Sequence, residues 1–265
     1  MLELKNICKT FNAGTINEKR ALQELSLHLN PGDFVTVIGG NGAGKSTMLN
    51  AVAGVWPIDS GSIIIDGIDV TGQQEHKRAS YIGRVFQDPM MGTAPNMQIE
   101  ENLALAMRRG KSRGLRWGIT AKERELYREK LSTLGLGLED RMTTKVGLLS
   151  GGQRQAVTLL MASLQQPKLL LLDEHTAALD PATAAKVLEL SDQIVNENKL
   201  TTLMITHNMT DAIKHGNRLV MMNEGRIIFD VEGEDKKKLT KQDLMDKFAQ
   251  ISGTQLESDQ ILLAK

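Results

Sequence analysis

The sequence predicts an α/β protein with a parallel core sheet and a helical insert. Three observations predict this. A buried apolar strand, FVTVIG at 34–39, runs through a glycine loop into a helical pattern. A second apolar run, KLLLLD at 168–173, is followed by a helix opening at Asp180-Pro181 and by the strand TTLMIT at 201–206, an alternation that implies parallel pairing. Between these parts, from about 96 to 165, apolar residues recur at helical spacing.

The elements follow in order. Leu25, Leu27 and Leu29 alternate with polar neighbours, a half-buried strand before the turn Pro31-Gly32-Asp33. From Lys45 the pattern is helical to a stop at Gly54. IIID at 63–66 and YIGRVFQ at 81–87 read as strands, with Asp66-Gly67 a turn. The insert holds IEENLALAMRR, a capping box at Thr120 and Glu123, and a helix opened by Ser150. Within KLLLLD the four leucines, Leu169 to Leu172, form a continuous apolar run, as a strand buried on both faces should. Asp180-Pro181 caps a helix to about Asn198, and LVMMNEGRIIFDV turns as a hairpin at Glu224-Gly225. The tail from 233 is charged, then forms an amphipathic helix with Leu244, Phe248 and Ile251 on one face and Thr240 as cap, and its last dozen residues read as loose.

Composition bounds the function. At 41 % hydrophobic and 24 % charged residues the chain carries a sizeable core, which excludes disorder for most of its length. Lys plus Arg (32) equals Asp plus Glu (32), so no global field favours nucleic acid or anionic lipid, and a polyanion must be held locally. The single cysteine, Cys8, cannot form an internal disulfide and points to a reducing compartment. The start, MLELKNICKT, lacks a signal-peptide pattern, and no stretch approaches the ~18 apolar residues of a membrane span. The expectation is a soluble chain whose membrane role, if any, runs through a partner.

Gly39-Gly40-Asn41-Gly42-Ala43-Gly44-Lys45-Ser46-Thr47 fits G-x-x-x-x-G-K-[ST] between a strand and a helix. Glycines let successive N–H groups face phosphate oxygens, and the helix N-terminus adds partial positive charge. Lys45 is expected to bridge the β- and γ-phosphates and Ser46 to ligate Mg²⁺. The loop alone leaves GTPases, small-molecule kinases and ATPases open. Asp173-Glu174, at the end of a buried strand, supply the partner carboxylates: Asp173 for Mg²⁺, directly or through water, and Glu174 as the base acting on the attacking water. No asparagine-lysine-x-aspartate guanine reader is present, which argues against a GTPase. A second expected anion site begins at Leu149-Ser150-Gly151-Gly152-Gln153, which adds a cap and two glycines at a helix start read as bare toward phosphate, with Ser150 as hydroxyl donor. One nucleotide scarcely needs two cradles from one chain, whereas a head-to-tail pair uses both.

With these motifs the chain resembles the ATP-binding cassette (ABC) ATPases of membrane transporters over roughly residues 1–230, the signature being LSGGQ followed by Arg154-Gln155. The resemblance implies a P-loop NTPase of ABC type, with a mostly antiparallel β subdomain, a mainly parallel core sheet and a helical subdomain. It implies an ATPase domain over 1–232, the helical subdomain at about 90–165, and a charged helical tail at 233–265. Gln87 resembles the glutamine that contacts Mg²⁺ or the lytic water, and Asp180 the aspartate spanning the dimer interface, a position that also suits an N-cap. His207 resembles the switch histidine that hydrogen-bonds the γ-phosphate. Phe11 resembles the aromatic that stacks on adenine, with a core role as the other reading. Where the family usually has proline after the catalytic glutamate this chain has His175, favoured as a neutral substitution over one that tunes Glu174.

The resemblance further implies ATP and Mg²⁺ as cofactors. The expected partners are transmembrane permease subunits, a second copy of the chain and an extracytoplasmic substrate-binding protein, not nucleic acid. The place is the cytoplasmic face of the cell membrane, and the branch is that of bacterial uptake systems, with amino acids as a pointer to substrate. Export is the alternative within the class. Soluble ABC ATPases acting on ribosomes or DNA are a third reading, disfavoured by the single cassette and absent heptads. Residues 90–97, MMGTAPNM, are expected either in the groove that receives a permease helix or in the subdomain core. RRGKSRGLRW at 108–117 is expected either near anionic headgroups or permease loops, or as a solvated loop.

Overall fold

The computed structural model describes residues 1–111 and 118–252, without the side chains of 251 and 252. In chain order the elements are β1 (Leu2–Phe11), β2 (Lys19–Leu29), β3 (Phe34–Ile38), α1 (Lys45–Ala53), β4 (Ser60–Ile65), β5 (Ile68–Asp69), α2 (Glu75–Arg78) and β6 (Ile82–Val85). Then come α3 (Ile99–Met107), α4 (Ala121–Ser132), a 3₁₀ turn (Val146–Leu148), α5 (Gly151–Ser163), β7 (Leu169–Asp173) and α6 (Pro181–Asn198). The chain ends in β8 (Thr201–Ile205), α7 (Met209–Lys214), β9 (Arg218–Asn223), β10 (Arg226–Glu232), α8 (Gly233–Lys238) and α9 (Lys241–Ser252). These elements fall into two units, one of residues 1–78 with 199–265 and one of residues 79–198.

The first unit contains two sets of strands. An antiparallel sheet runs β2-β1-β4-β5; the β4–β5 turn places Asp66 (φ 52°) and Gly67 (φ 78°) in the left-handed region expected of a tight hairpin. In the second set β3 lies parallel to both β8 and β9, and β10 pairs antiparallel with β9. Every residue of β3 and β8 is buried, so their uniformly apolar or threonine sequences need no polar face. The amphipathic α9 closes one side. Its Leu244 and Phe248 are buried with Ile38, Met209, Leu219 and Met221. The side chain of Ile251 and the last dozen residues lie outside the described residues.

The second unit has β6 parallel to β7, paired Ile82 to Leu169 through Val85 to Leu172. Strand β6 stops at Val85, two residues short of the sequence expectation, and the chain bends at Gln87 and Asp88. The Thr120–Glu123 capping box forms as expected, with Thr120 Oγ1 accepting from the Glu123 amide. Of the basic segment, residues 108–111 are described, with Gly110 and Lys111 exposed. Arg108 donates to Glu123 at 2.7 Å, and Arg109 is buried deeply enough that desolvation lowers its pKa. Arg113, Arg116 and Trp117 lie outside the described residues. Among the described residues no helix is long and apolar enough to cross a membrane.

Candidate functional site

The expected site residues form two sets, one in each unit. In the first unit, β3 leads into the phosphate loop and α1. Gly44 has φ 98° and its α-carbon lies where a Cβ would come within 2.5 Å of the Ala21 carbonyl, so glycine is required both for the backbone turn and for the close approach. Lys45 is 5 % exposed, and its ammonium donates to the carbonyls of Gly39 (2.7 Å) and Gly40 (3.0 Å). The loop thus wraps its own lysine and fixes a desolvated positive charge inside the ring of backbone. Asn41, Gly42 and Ser46 are exposed, Ala43 is buried and Thr47 is half-buried. His207 follows β8, half-buried, with Asn208 capping α7 through its side-chain oxygen.

Phe11 ends β1. It is half-buried, and its ring meets Trp56 edge-on at 5.0 Å between centroids while Lys9 Nζ lies 5.6 Å from its centroid. Phe11 is not among the fully buried core residues; its ring belongs to a half-buried aromatic and cationic cluster. Trp56, which follows α1, was not legible as part of this cluster because nothing in its local pattern announces Phe11 as a neighbour.

In the second unit, β7 delivers Asp173 and Glu174. Glu174 has φ 47°, a left-handed conformation that costs a non-glycine residue about 1–2 kcal/mol and is held by the turn that Ala177 closes on its carbonyl. Arg84 Nη2 lies 3.3 Å from Asp173 Oδ2. His175 is 2 % exposed, and its Nε2 is 2.9 Å from Ser191 Oγ on α6. That contact makes it a packed link between the loop and the helix. Gln87 is exposed, and the carbonyl of Phe86 just before it accepts from Gln155 of α5. Asp180 caps α6 by accepting from the Thr183 amide, a bond that holds its carboxyl below the usual range.

The helix start at Ser150 is not bare, contrary to the sequence expectation. Ser150 Oγ accepts from the Gln153 amide and Gln153 Oε1 accepts from the Ser150 amide, because serine with glutamine three residues on is itself a capping box. Gly152 is buried, and a Cβ there would overlap the Thr183 methyl group, so this glycine is needed to pack α5 on α6. Gly151 stays exposed. A cavity of about 310 Å³ borders this helix start, lined by Ser150, Gly152, Gln153, Thr183, Lys186 and Leu190 among others. Arg154 donates to the carbonyls of Val146, Gly147 and Leu149, fastening the 3₁₀ turn beneath the motif.

A strand, a glycine loop around a buried lysine and a helix define a P-loop NTPase, and the carboxylates at the end of β7 suit hydrolysis. The sequence profile described as ABC transporter matches residues 22–177. A tyrosine transport ATP-binding protein of Clostridioides difficile is 44 % identical over 248 residues, covering 94 % of this chain and 98 % of its own. An energy-coupling factor transporter ATP-binding protein of Acetivibrio thermocellus is 32 % identical, covering 85 % of this chain and 78 % of its own. Among solved structures, a dimeric ATP-binding cassette in a post-hydrolysis state bound to ADP and Pi is similar with a TM-score of 0.74 at 30 % identity, covering 88 % of this chain and 98 % of that one. The chain belongs to the ABC transporter family, as an ATP-binding and ATP-hydrolysing subunit.

Proposed function

We propose that this chain drives an uptake system for an amino acid, with an aromatic one such as tyrosine the first candidate. The observation that carries this is the 44 % identity to the tyrosine transport subunit along nearly the whole of both chains. Two copies would enclose ATP between them, each offering its phosphate loop to one nucleotide and Ser150, Gly151, Gly152 and Gln153 to the other, with Asp180 at the interface. Lys45 would hold the β- and γ-phosphates beside the amides of Gly39, Asn41, Gly42, Ala43, Gly44 and Thr47, and Phe11 would flank the adenine. The edge-on Trp56 and the nearby Lys9 leave Phe11 half-exposed, which supports that last role.

Ser46, Gln87 and Asp173 offer only oxygen donors, which fits Mg²⁺. When bound, Mg²⁺ would neutralise charge on the phosphates. Glu174 would accept a proton from water as the water oxygen bonds to the γ-phosphorus. The bond to the bridging oxygen breaks, its electron pair leaves with ADP, and His207 hydrogen-bonds the γ-phosphate through the step.

The chain would attach to the membrane face through permease subunits served by a substrate-binding protein. Exposed Met90 and Met91 support a docking groove in place of subdomain core for residues 90–97, since thioether side chains adapt to a partner surface. The test is reconstitution of the chain with its co-purified permease in vesicles, followed by uptake of labelled tyrosine. ATP-dependent accumulation is expected. Accumulation of other substrates but not of amino acids would overturn the substrate class.

A further inference from the structure

Strand β6 reads Ile82, Gly83, Arg84, Val85, and a charged residue in so apolar a strand calls for a partner. Arg84 pairs in register with Leu171 of β7, which brings its guanidinium alongside the carboxylate two residues further on. Its Nη2 donates to Asp173 Oδ2 at 3.3 Å, with the two side chains only 12 % and 15 % exposed. The guanidinium carbon lies 4.5 Å from the centroid of the Phe86 ring, so the same group touches the carboxylate and the residue that precedes Gln87.

We propose that Arg84 is a positioning residue that holds the Asp173 carboxylate before the divalent cation arrives and, as a neighbouring positive charge, weakens the binding of that cation. This rests on the reading of Asp173 as a cation ligand. An ion pair with so little water around it is weakly screened, so a guanidinium on one side of a carboxylate opposes a cation on the other. Arg84 therefore gives Asp173 a fixed orientation at the expense of affinity. It also makes the arrival of the cation felt at Phe86, through the face on which the guanidinium lies.

The test uses Mn²⁺ as the probe, titrated into the full chain held in excess over ATP and followed by electron paramagnetic resonance. Replacing the charge in Arg84→Met should tighten Mn²⁺ about 3- to 10-fold, as expected when one partly buried like charge is removed. Arg84→Gln, which keeps a hydrogen-bond donor without the charge, should tighten it in the same direction and serves if Arg84→Met fails to fold. Arg84→Lys should stay near the parent value, and Asp173→Asn should weaken binding more than about tenfold. If Asp173→Asn weakens Mn²⁺ binding while both neutral Arg84 variants leave it unchanged or weaker, the role of Arg84 is overturned alone. If Asp173→Asn changes nothing, the assignment of Asp173 falls, and this inference with it.

Discussion

Gln155 of α5 donates its side-chain amide to the main-chain carbonyl of Phe86, 3.2 Å away, tying the helix that begins with Ser150 to the residue before Gln87. The oxygen of that amide is buried with no hydrogen-bond partner among the described residues. A core that tolerates an unsatisfied oxygen for one donated bond keeps the side chain for what that bond places. Gln155→Leu removes both the bond and the stranded oxygen, so stability should change by less than about 1 kcal/mol. ATP turnover should fall about tenfold as Gln87 loses its placement. Thermal unfolding and steady-state hydrolysis measured side by side check this; equal loss in both would make Gln155 a packing residue only.

Gly152 and Thr183 give a paired test. Gly152→Ala pushes a methyl group into the Thr183 side chain, and overpacking of this kind costs about 1–3 kcal/mol. Thr183→Ser removes the obstructing methyl. The double variant should recover most of the thermal midpoint lost by Gly152→Ala, whereas loss of midpoint with no recovery would place the strain elsewhere.

His175 is buried with its Nε2 2.9 Å from the Ser191 hydroxyl, whose own proton goes to the Val187 carbonyl. His175→Ala leaves a cavity and breaks the bond, an expected loss of about 2–4 kcal/mol. Ser191→Ala should cost about 1 kcal/mol, because it removes the bond without the cavity. Chemical denaturation of the two variants distinguishes this packed role from one in which the imidazole adjusts Glu174, where hydrolysis would change and stability would not.

Lys236 of α8 is 2 % exposed and donates to the carbonyls of His215 and Gly216 at the end of α7. Lys236→Met strands those acceptors, with an expected loss of about 1.5–3 kcal/mol for bonds to a charged donor. Hydrogen exchange should show faster opening of α7, the helix that follows His207; unchanged exchange there would contradict the assignment of Lys236 as its cap.

Glu123 is held below its ordinary pKa of 4.5, first by the Thr120 amide and further by the Thr120 hydroxyl and Arg108, against a smaller cost of burial. A carboxyl lowered in the folded state stabilises above its unfolded pKa and ceases to do so as the pH falls through the lowered value. Glu123→Gln should therefore be less stable than the parent at pH 7. The difference should close as the pH drops below 4.5, and a gap that stays constant in urea titrations across that range would contradict the assignment.

The parts legible in the sequence are those whose signal is local. The Thr120 capping box, the left-handed Gly54 after α1 and the Glu224-Gly225 hairpin each depend on residues within a few positions, and each is found where its pattern lies. Helix α7, only six residues long, gave too short a period to be read. Strand β1 carries no readable alternation, because its polar residues, Asn6 among them at φ 46°, interrupt it at bulges. The pairings of Arg84 with Asp173, Gln155 with Phe86 and Phe11 with Trp56 join residues 89, 69 and 45 positions apart. No local pattern carries such contacts, since they exist only once the strands and helices have packed. The bare helix end expected at Ser150 failed for the opposite reason: the same serine and glutamine that mark a helix start also cap it.

The most direct test of the account is Glu174→Gln, assayed for ATP hydrolysis and for association. The carboxamide cannot take the proton of the attacking water, so hydrolysis should fall by at least about a hundredfold while ATP stays bound. Size-exclusion chromatography with ATP should then show a stable dimer. Hydrolysis by Glu174→Gln at the parent rate, with no ATP-dependent dimer, would contradict the account.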